Sequence, residues 1–275
     1  ALHDCLRAHG GVWYGTSGEI SKAAQDQFLA VPGDDYDMRT FDLTQAEHEG
    51  YYLGYANSVL WPLCHRRADL MALHGGDFDD YMDVNRRLAR MMAKELSPDD
   101  QVWIHDYHFL PLAACLRAEG VSATIGYFHH IPFPAVHDLM ALPERDLFPD
   151  WISSFDLVGL QTQRDVAAAL EMYRSLNGAE QLRDGSLQYR RRRFEVRSFP
   201  IGIDAATFAA EAGRSDGRAL LNLAPDERLV IGVDRLDYSK GLDNRMMAFG
   251  RYLKARGADD PRASLLQIAP PTREE

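Results

Sequence analysis

Short apolar segments alternate with amphipathic helical segments along much of the chain. Strand-like segments cover residues 101–107, 123–130 and 156–162, and helix-like segments cover residues 109–120 and 163–178. Alternation of this kind, with turn-forming residues between the segments, is typical of βαβ units. The pattern therefore predicts an α/β fold built on a doubly wound parallel sheet.

A second series of the same kind begins with an apolar, β-branched run at residues 229–233. A continuous run of this composition is typical of a strand that is buried on both faces of a parallel sheet. A helix-like segment at residues 242–257 and another strand-like segment follow it. Because one sheet ends and a new one starts near the sequence PIGID, we predict two domains, at residues 1–203 and 204–275.

The balance of charge excludes one broad class of ligand. The 275 residues carry a formal net charge of −11, whereas proteins that bind nucleic acids or membrane surfaces usually carry a basic excess. Three widely spaced cysteines match neither a disulfide framework nor a CxxC metal site, and no apolar stretch is long enough to span a membrane. We expect a cytoplasmic protein that binds small molecules, and leave open whether it forms a homo-oligomer.

Polar clusters recur where the predicted strands end. The four clusters are HDYH (105–108), HHIPFP (129–134), QTQ (161–163) and DRLDYSKG (234–241). In an open α/β sheet, ligands bind at the carboxyl ends of the strands. We therefore expect these clusters to mark the ligand-binding edge of each sheet.

The first two clusters contain side chains that suit either a metal ion or a polyol. Zinc or another transition metal could use His105, Asp106, His108 and His130 as ligands. Alternatively, Asp106 accepts a hydrogen bond from a substrate hydroxyl group and His130 donates one to another hydroxyl. A third interpretation is that these histidines only satisfy buried backbone groups.

The stretch YYLGYANSVLWP is rich in aromatic rings. Tyr51, Tyr52, Tyr55 and Trp61 suit either stacking on a sugar or packing in an ordinary core. Without other evidence the composition favours the core.

A run of four arginines, from Arg190 to Arg193, stands out in an acidic chain. The run suits a solvated loop or strand edge, and less readily a phosphate or partner site. The sequence favours the solvated edge.

Arg235 and Lys240 lie five residues apart between a predicted strand and a predicted helix. Two cations beside the backbone N–H groups of a helix start form a natural site for a diphosphate. Arg273, past the next strand, could add a third positive charge. The alternative is a surface salt bridge with Asp234 or Asp237.

Six motifs together resemble the trehalose-6-phosphate synthase family of retaining glycosyltransferases. They are VWIHDYHFLPL, IGYFHHIPFP, DLVGLQT, FPIGID, VDRLDYSKGL and QIAPPTRE. The resemblance extends from about residue 10 to the last residue, and the motifs are long and occur in the family's order. It implies the GT-B fold, in which two Rossmann-like domains face each other. The N-terminal acceptor-binding domain would be nearly complete, and the C-terminal nucleotide-sugar-binding domain truncated.

The resemblance also implies a reaction and roles for single residues. The family transfers glucose from UDP-glucose, or another nucleotide-glucose, to glucose 6-phosphate with retention, and the product is α,α-trehalose 6-phosphate. Four residues would line the acceptor, and three would contact the donor. The acceptor residues are Tyr52, Trp61, Asp106 and Arg273, and the donor residues are His130, Arg235 and Lys240. The implied mechanism is front-face attack, which requires no metal or other cofactor.

The chain departs from the family pattern in several places. We expect it to be a partial sequence, because the family's first strand would precede Ala1 and most of the nucleotide-binding domain would follow Glu275. Thr16 stands in GTSG where the family has GWSG, and His129 replaces a usual apolar residue. Two alternatives therefore stay open, namely a related synthase with another phosphorylated polyol or pseudo-sugar acceptor and a non-catalytic sugar-phosphate-binding homologue.

Overall fold

The computed structural model describes residues 2–33, 35–214 and 217–271. The chain divides into two units, residues 1–201 and residues 202–275. The division lies two residues before the boundary that the sequence predicts. Among the described residues, every side chain of the main apolar core belongs to the first unit.

The first unit begins with a helix and a small sheet. The elements are α1 (Leu2–His9), β1 (Val12–Ser21), β2 (Leu29–Val31) and β3 (Asp37–Thr44). The central strand is β3, which pairs in parallel with β1 and antiparallel with β2. Phe41 and Leu43 alternate with outward residues along β3 and point into the core. The helix ends at His9, and Gly10 follows it with a positive φ of 73°.

A helical layer follows, for which the sequence analysis predicts no regular element. It consists of α2 (Gln45–Glu47), a π-helix (His48–Leu60), α3 (Trp61–Cys64), a 3₁₀ turn (Ala68–Leu70) and α4 (Asp77–Met92). Gly50 and Gly54 let α4 approach the π-helix closely. A Cβ atom at Gly50 would overlap the carboxylate of Asp80, and one at Gly54 would overlap that of Asp77. The close approach lets the apolar face of α4 enter the core.

A buried ion pair joins α4 to α2. Nη2 of the buried Arg87 donates to Oε1 of Glu47 over 2.7 Å, and Nη1 donates to the backbone oxygen of Gln25 over 2.9 Å. The guanidinium also lies 5.3 Å from the centroid of the Phe41 ring. The other carboxylate oxygen of Glu47 accepts a hydrogen bond from the backbone N–H of Thr44, which caps α2. One guanidinium therefore holds three segments together.

The central sheet confirms the βαβ pattern. Its elements, in chain order, are β4 (Gln101–His105), a 3₁₀ turn (Tyr107–Phe109), α5 (Leu112–Ala118), β5 (Thr124–Phe128), α6 (Val136–Leu139), α7 (Phe148–Ile152), β6 (Leu157–Leu160), α8 (Gln163–Arg174), β7 (Ala179–Gln181), β8 (Leu187–Tyr189) and β9 (Arg192–Ser198). Within the described residues its six strands have the order β4-β5-β6-β9-β8-β7. Neighbouring strands among β4, β5, β6 and β9 pair in parallel. Strands β8 and β7 extend the sheet with antiparallel pairing. The carboxyl ends of β4, β5 and β6 therefore meet at one edge.

A capping box fixes both the start of α8 and the loop after β5. Thr162 Oγ1 accepts a hydrogen bond from the backbone N–H of Asp165, and the Asp165 carboxylate accepts one from the backbone N–H of Thr162. The second carboxylate oxygen of Asp165 accepts from the backbone N–H of Phe133 over 3.0 Å. The buried aspartate thus ties the HHIPFP loop to the helix.

The arginine run forms a tight turn between β8 and β9. Arg190 and Arg191 occupy the turn with positive φ values of 46° and 66°. Nη1 of Arg190 lies 2.5 Å from Oδ2 of Asp150, and Arg193 pairs with Asp184. Carboxylates of the same unit therefore offset two of the four charges, which favours the solvated-edge interpretation.

The second unit contains α9 (Ala205–Ala212), α10 (Gly217–Leu220), β10 (Arg228–Val233), a 3₁₀ turn (Tyr238–Lys240), α11 (Leu242–Ala255) and β11 (Ala263–Ile268). The two strands pair in parallel, as expected for a second βα series. The prediction that residues 229–233 are buried on both faces is wrong. Ile231 and Val233 are 59% and 64% exposed. Among the described residues β10 has β11 as its only strand neighbour, so its branched side chains remain exposed.

The buried ion pair leads to a stability prediction. Replacing Arg87 by Met should lower the free energy of unfolding by about 3–5 kcal/mol, because the Glu47 carboxylate would stay buried without its partner. Urea unfolding of this 275-residue chain, followed by tryptophan fluorescence, measures the change. All four tryptophans lie in the first unit.

The neighbouring residue provides a matched control. Arg86 forms an exposed pair with Asp83, with 3.0 Å between Nη1 and Oδ1. Arg86→Met should change the free energy of unfolding by no more than about 0.5 kcal/mol. Equal losses in the two variants would show that burial of the Arg87 pair is not what makes it important.

Candidate active site

The first polar cluster follows β4 and the second follows β5, and the sheet brings them into contact. His105 is in register with Phe128, and the backbone N–H of Asp106 donates to the carbonyl oxygen of Phe128 over 2.9 Å. Oδ1 of Asp106 accepts from the backbone N–H of Tyr107 over 3.0 Å and lies 3.4 Å from the backbone nitrogen of His130. The structure therefore places Asp106 beside His130, two residues that the sequence analysis selected.

Asp106 has a backbone conformation that is rare for residues other than glycine. Its φ is 68° and its ψ is 167°. This region of the Ramachandran plot costs an L-residue about 1–3 kcal/mol and persists only where the surroundings enforce it. Such strain is concentrated at functional sites, which makes Asp106 a strong candidate for a direct role.

His105 and His130 form a ring-to-ring hydrogen bond. Nδ1 of His105 lies 2.9 Å from Nε2 of His130, so one ring donates a proton and the other accepts it. Burial, with a smaller contribution from the neighbouring His130, lowers the pKa of His105 to about 4, while the charge of Asp106 opposes the change. His105 is therefore uncharged at neutral pH.

The two histidines after β5 point in opposite directions. His129 is fully buried, and its Nδ1 lies 2.7 Å from the hydroxyl oxygen of Tyr127. Burial lowers the pKa of His129. His130 is partly exposed at the edge of the sheet. His129 therefore fits the interpretation of a histidine that hydrogen-bonds within the core. His130 fits the interpretation of a histidine that is available to a ligand.

The predicted aromatic residues contact the turn that follows Asp106. The ring of Tyr52 stacks on His108 with a centroid distance of 5.5 Å. The ring of Trp61 lies 5.9 Å from that of Tyr107. Tyr52 is partly exposed and Trp61 is only 4% exposed, so Trp61 belongs largely to the core.

The remaining rings of this stretch belong to the core. Tyr51 and Tyr55 are almost completely buried, as the composition favoured. They pack against the ring of Tyr81 on α4, at centroid distances of 5.8 Å and 4.8 Å.

The third cluster also reaches this edge. Gln161 follows β6, and its Nε2 lies 3.4 Å from the carbonyl oxygen of His130. Its Oε1 accepts a hydrogen bond from the backbone N–H of Ile201 over 3.3 Å. Gln161 therefore joins the end of the first unit to the HHIPFP loop.

In the second unit, Arg235 and Lys240 are both exposed in the segment between β10 and α11. Gly241 has a positive φ of 59° and permits the turn into α11, which begins at Leu242 as predicted. Nη1 of Arg245 lies 2.5 Å from Oδ2 of Asp234, and this hydrogen bond lowers the pKa of Asp234. Arg245 therefore provides a cation for Asp234 from the next helix. Arg273 lies outside the described residues.

The proposed metal ligands do not converge. Within residues 2–33, 35–214 and 217–271, no group of three or more His, Cys, Asp and Glu side chains is arranged to hold a metal ion. His108 stacks on Tyr52, whereas His105 and His130 contact each other. In that same part of the chain, no helix has both the length and the apolar character that crossing a bilayer requires.

Two residues that contact the turn after Asp106 were not predicted from the sequence. Tyr81 and Asn85 on α4 donate hydrogen bonds to the backbone oxygens of Tyr107 and His108. A signal was present, because these polar groups lie four residues apart on the apolar face of an amphipathic helix. The contact between His105 and His130 was also not predicted, although His105 ends β4 and His130 follows the neighbouring β5.

Comparison with known proteins places these observations in a family. Residues 1–275 match the model of glycosyltransferase family 20. The trehalose-6-phosphate synthase of Sinorhizobium fredii is 39% identical over 271 residues, which are 97% of this chain and 58% of that protein. The chain thus spans about 58% of the length of this curated relative.

Solved structures share the fold. A UDP-forming α,α-trehalose-phosphate synthase from Burkholderia xenovorans, in complex with glucose 6-phosphate, is similar with a TM-score of 0.88 and 38% identity. The match covers 99% of this chain and 62% of that one. An E. coli structure with bound UDP-2-fluoro glucose has a TM-score of 0.92 and 34% identity, and the match covers 99% and 61% of the two chains. These similarities confirm the predicted α/β fold class. Since the family model covers every residue, the chain belongs to glycosyltransferase family 20.

Proposed function

We propose that the full-length protein containing this chain is a trehalose-6-phosphate synthase. It transfers glucose from UDP-glucose to glucose 6-phosphate with retention and releases UDP and α,α-trehalose 6-phosphate. Support comes from the family and from relatives that carry this name. Two similar structures hold glucose 6-phosphate and UDP-2-fluoro glucose.

The observation that carries the proposal is the cluster at the ends of β4 and β5. It combines a carboxylate (Asp106), an imidazole (His130) and a partly exposed aromatic ring (Tyr52) around one turn. A carboxylate accepts hydrogen bonds from sugar hydroxyls, an imidazole donates or accepts them, and a ring covers the C–H face of a sugar. This set of groups suits a hexose.

In this proposal three of the four acceptor residues belong to the first unit. Asp106 accepts from a hydroxyl group of glucose 6-phosphate, Tyr52 and Trp61 line the site, and Arg273 holds the phosphate. His130 contacts the donor glucose. Trp61 acts mainly through the position of its neighbours, because its ring is buried.

The second unit binds the donor nucleotide in this proposal. Arg235 and Lys240 contact the diphosphate of UDP-glucose and offset the negative charge that develops as UDP leaves. The proposal needs no metal ion or other cofactor, because these cations supply the required charge. A cytoplasmic location belongs to the same proposal, and the three cysteines are free thiols, as a reducing compartment requires.

The proposed reaction exchanges one bond and one proton between the acceptor and the donor. A hydroxyl oxygen of glucose 6-phosphate forms a bond to C1 of the donor glucose, and the bond between C1 and the phosphate oxygen breaks. The hydroxyl proton passes to that phosphate oxygen, which leaves as part of UDP. Attack and departure on the same face of the sugar retain the configuration at C1.

A product assay tests the proposal directly. The full-length gene product should form trehalose 6-phosphate from UDP-glucose when glucose 6-phosphate and glycerol 3-phosphate compete as acceptors. Arg235→Ala should lower kcat by about 10²–10³-fold, the usual effect of removing one group that stabilises transition-state charge. Lys254→Ala, at the exposed end of α11, is the control and should leave kcat unchanged.

The other outcomes have definite meanings. A product from glycerol 3-phosphate would assign the protein to a related synthase and direct attention to the exposed Thr16. No transfer to either acceptor would refute the enzymatic proposal. Equal activity of Arg235→Ala and Lys254→Ala would remove Arg235 from the donor site.

Substitutions at Asp106 should separate stability from activity. Both Asp106→Ala and Asp106→Gly remove the carboxylate, so both should lower kcat/KM for glucose 6-phosphate by at least about 100-fold. The glycine variant should be more stable than the alanine variant by about 1–3 kcal/mol, because glycine adopts φ near 68° without strain. Urea unfolding and steady-state kinetics measure both effects. Equal stability of the two variants would show that the strain is absent.

Protonation of His105 should make stability depend on pH. The folded chain holds the pKa of His105 near 4, whereas an unfolded histidine has a pKa of about 6.5. The unfolded state therefore binds the proton more readily, and stability falls as the pH drops from about 6.5 to 4. In His105→Gln this fall should be smaller, since one such group is gone.

The slope of the unfolding free energy against pH tests this prediction. Urea unfolding between pH 4 and pH 7 gives the slopes. Identical slopes in wild type and in His105→Gln would exclude His105 as a source of the dependence.

A further inference from the structure

Helix α4 holds two polar side chains inside the apolar core. Tyr81 and Asn85 are both fully buried and lie one turn apart, so they share a face of the helix. The Tyr81 hydroxyl donates to the backbone oxygen of Tyr107 over 2.6 Å. Nδ2 of Asn85 donates to the backbone oxygen of His108 over 3.1 Å and to that of Tyr81 over 2.9 Å. We call Tyr81 and Asn85 the carbonyl clamp.

The carbonyl clamp holds the peptide groups that follow Tyr107 and His108. On the other side of Asp106, the hydrogen bond from its backbone N–H to Phe128 fixes the preceding peptide group to the sheet. Asp106 and Tyr107 therefore lie between two anchored segments. The backbone reaches from one to the other with φ at 68° and ψ at 167° at Asp106. Strain of this kind lasts only when both sides are held.

Packing alone does not account for these two polar groups. The ring of Tyr81 contacts Tyr51 and Tyr55, and a phenylalanine would make the same ring contacts. A buried hydroxyl or amide is unfavourable unless it is hydrogen-bonded. Oδ1 of Asn85 is buried and has no hydrogen-bond partner among the described residues. Two apolar side chains would fill this space at a lower desolvation cost. The hydrogen bonds to the turn therefore explain why Tyr81 and Asn85 are polar.

We propose that Tyr81 and Asn85 are positioning residues that hold Asp106 in its strained conformation and so direct its carboxylate toward the acceptor sugar. Neither residue touches substrate in this scheme. The inference rests on the proposed function for the role of Asp106, but the positioning itself is a property of the fold. Loss of the clamp should allow Asp106 to relax to a negative φ, and its carboxylate would turn away from the acceptor.

The decisive variant is Tyr81→Phe in the full-length gene product, which removes one hydroxyl and keeps the ring. Tyr173→Phe is a matched control. Tyr173 is also almost completely buried, and its hydroxyl donates to the backbone oxygen of Pro149 over 2.7 Å, away from the Asp106 turn. Both variants lose one buried hydrogen bond to a carbonyl, and both should show similar decreases in melting temperature.

Only the clamp variant should change the kinetics. In Tyr81→Phe, kcat/KM for glucose 6-phosphate should fall by about tenfold or more, because a small displacement of a catalytic group has a large effect on rate. The KM for UDP-glucose should stay unchanged. Asn85→Leu should act in the same direction. Wild-type kcat/KM in Tyr81→Phe, or an equal loss in Tyr173→Phe, would overturn the proposal.

A crystal structure of Tyr81→Phe separates this inference from the proposed function. A relaxed Asp106, with φ outside the positive region, supports the clamp even if the wild-type protein transfers no glucose. An Asp106 that keeps φ near 68° overturns the clamp whatever the kinetics show. If Tyr81→Phe fails to fold, the same structural comparison applies to Asn85→Leu.

Discussion

The candidate site depends on the parallel pairing of β4 with β5. Their register places His105 opposite Phe128, and the next residue, Asp106, donates a backbone hydrogen bond to Phe128. The two strands therefore end side by side. Backbone pairing thus decides where the carboxylate and the two histidines lie. A shift by one residue would reverse the direction of each side chain along the strand. It would then point His130 into the core in place of His129.

Helix α4 supports this edge from the other side. Near its start it approaches the π-helix across two glycines, in its middle it bonds to the turn after Asp106, and farther along it holds the small sheet through Arg87. These contacts use buried polar groups, which are costly to leave unpaired and therefore fix one arrangement. The helix thus links the small sheet, the π-helix and the turn after Asp106.

The sequence predicts those parts of the site that follow from periodicity. Alternating strands and helices locate the edge of the sheet, and the polar residues after each strand locate Asp106 and His130. The backbone of Asp106 could not be predicted, because its strain arises from contacts with residues about 25 positions away in either direction. The π-helix was missed since helical periodicity is weak in that segment. The burial of residues 229–233 was predicted wrongly, because composition reports how apolar a strand is and not what covers it.

The hydrogen bond between the two histidine rings determines whether the other ring nitrogen of His130 acts as a donor or as an acceptor. When both rings are uncharged, one proton lies between them, and it belongs either to His105 or to His130. If His105 holds it, the remaining nitrogen of His130 carries a hydrogen and can only donate to a ligand. If His130 holds it, that nitrogen is bare and can only accept. The direction of the hydrogen bond with His105 therefore sets whether the other ring nitrogen of His130 donates or accepts.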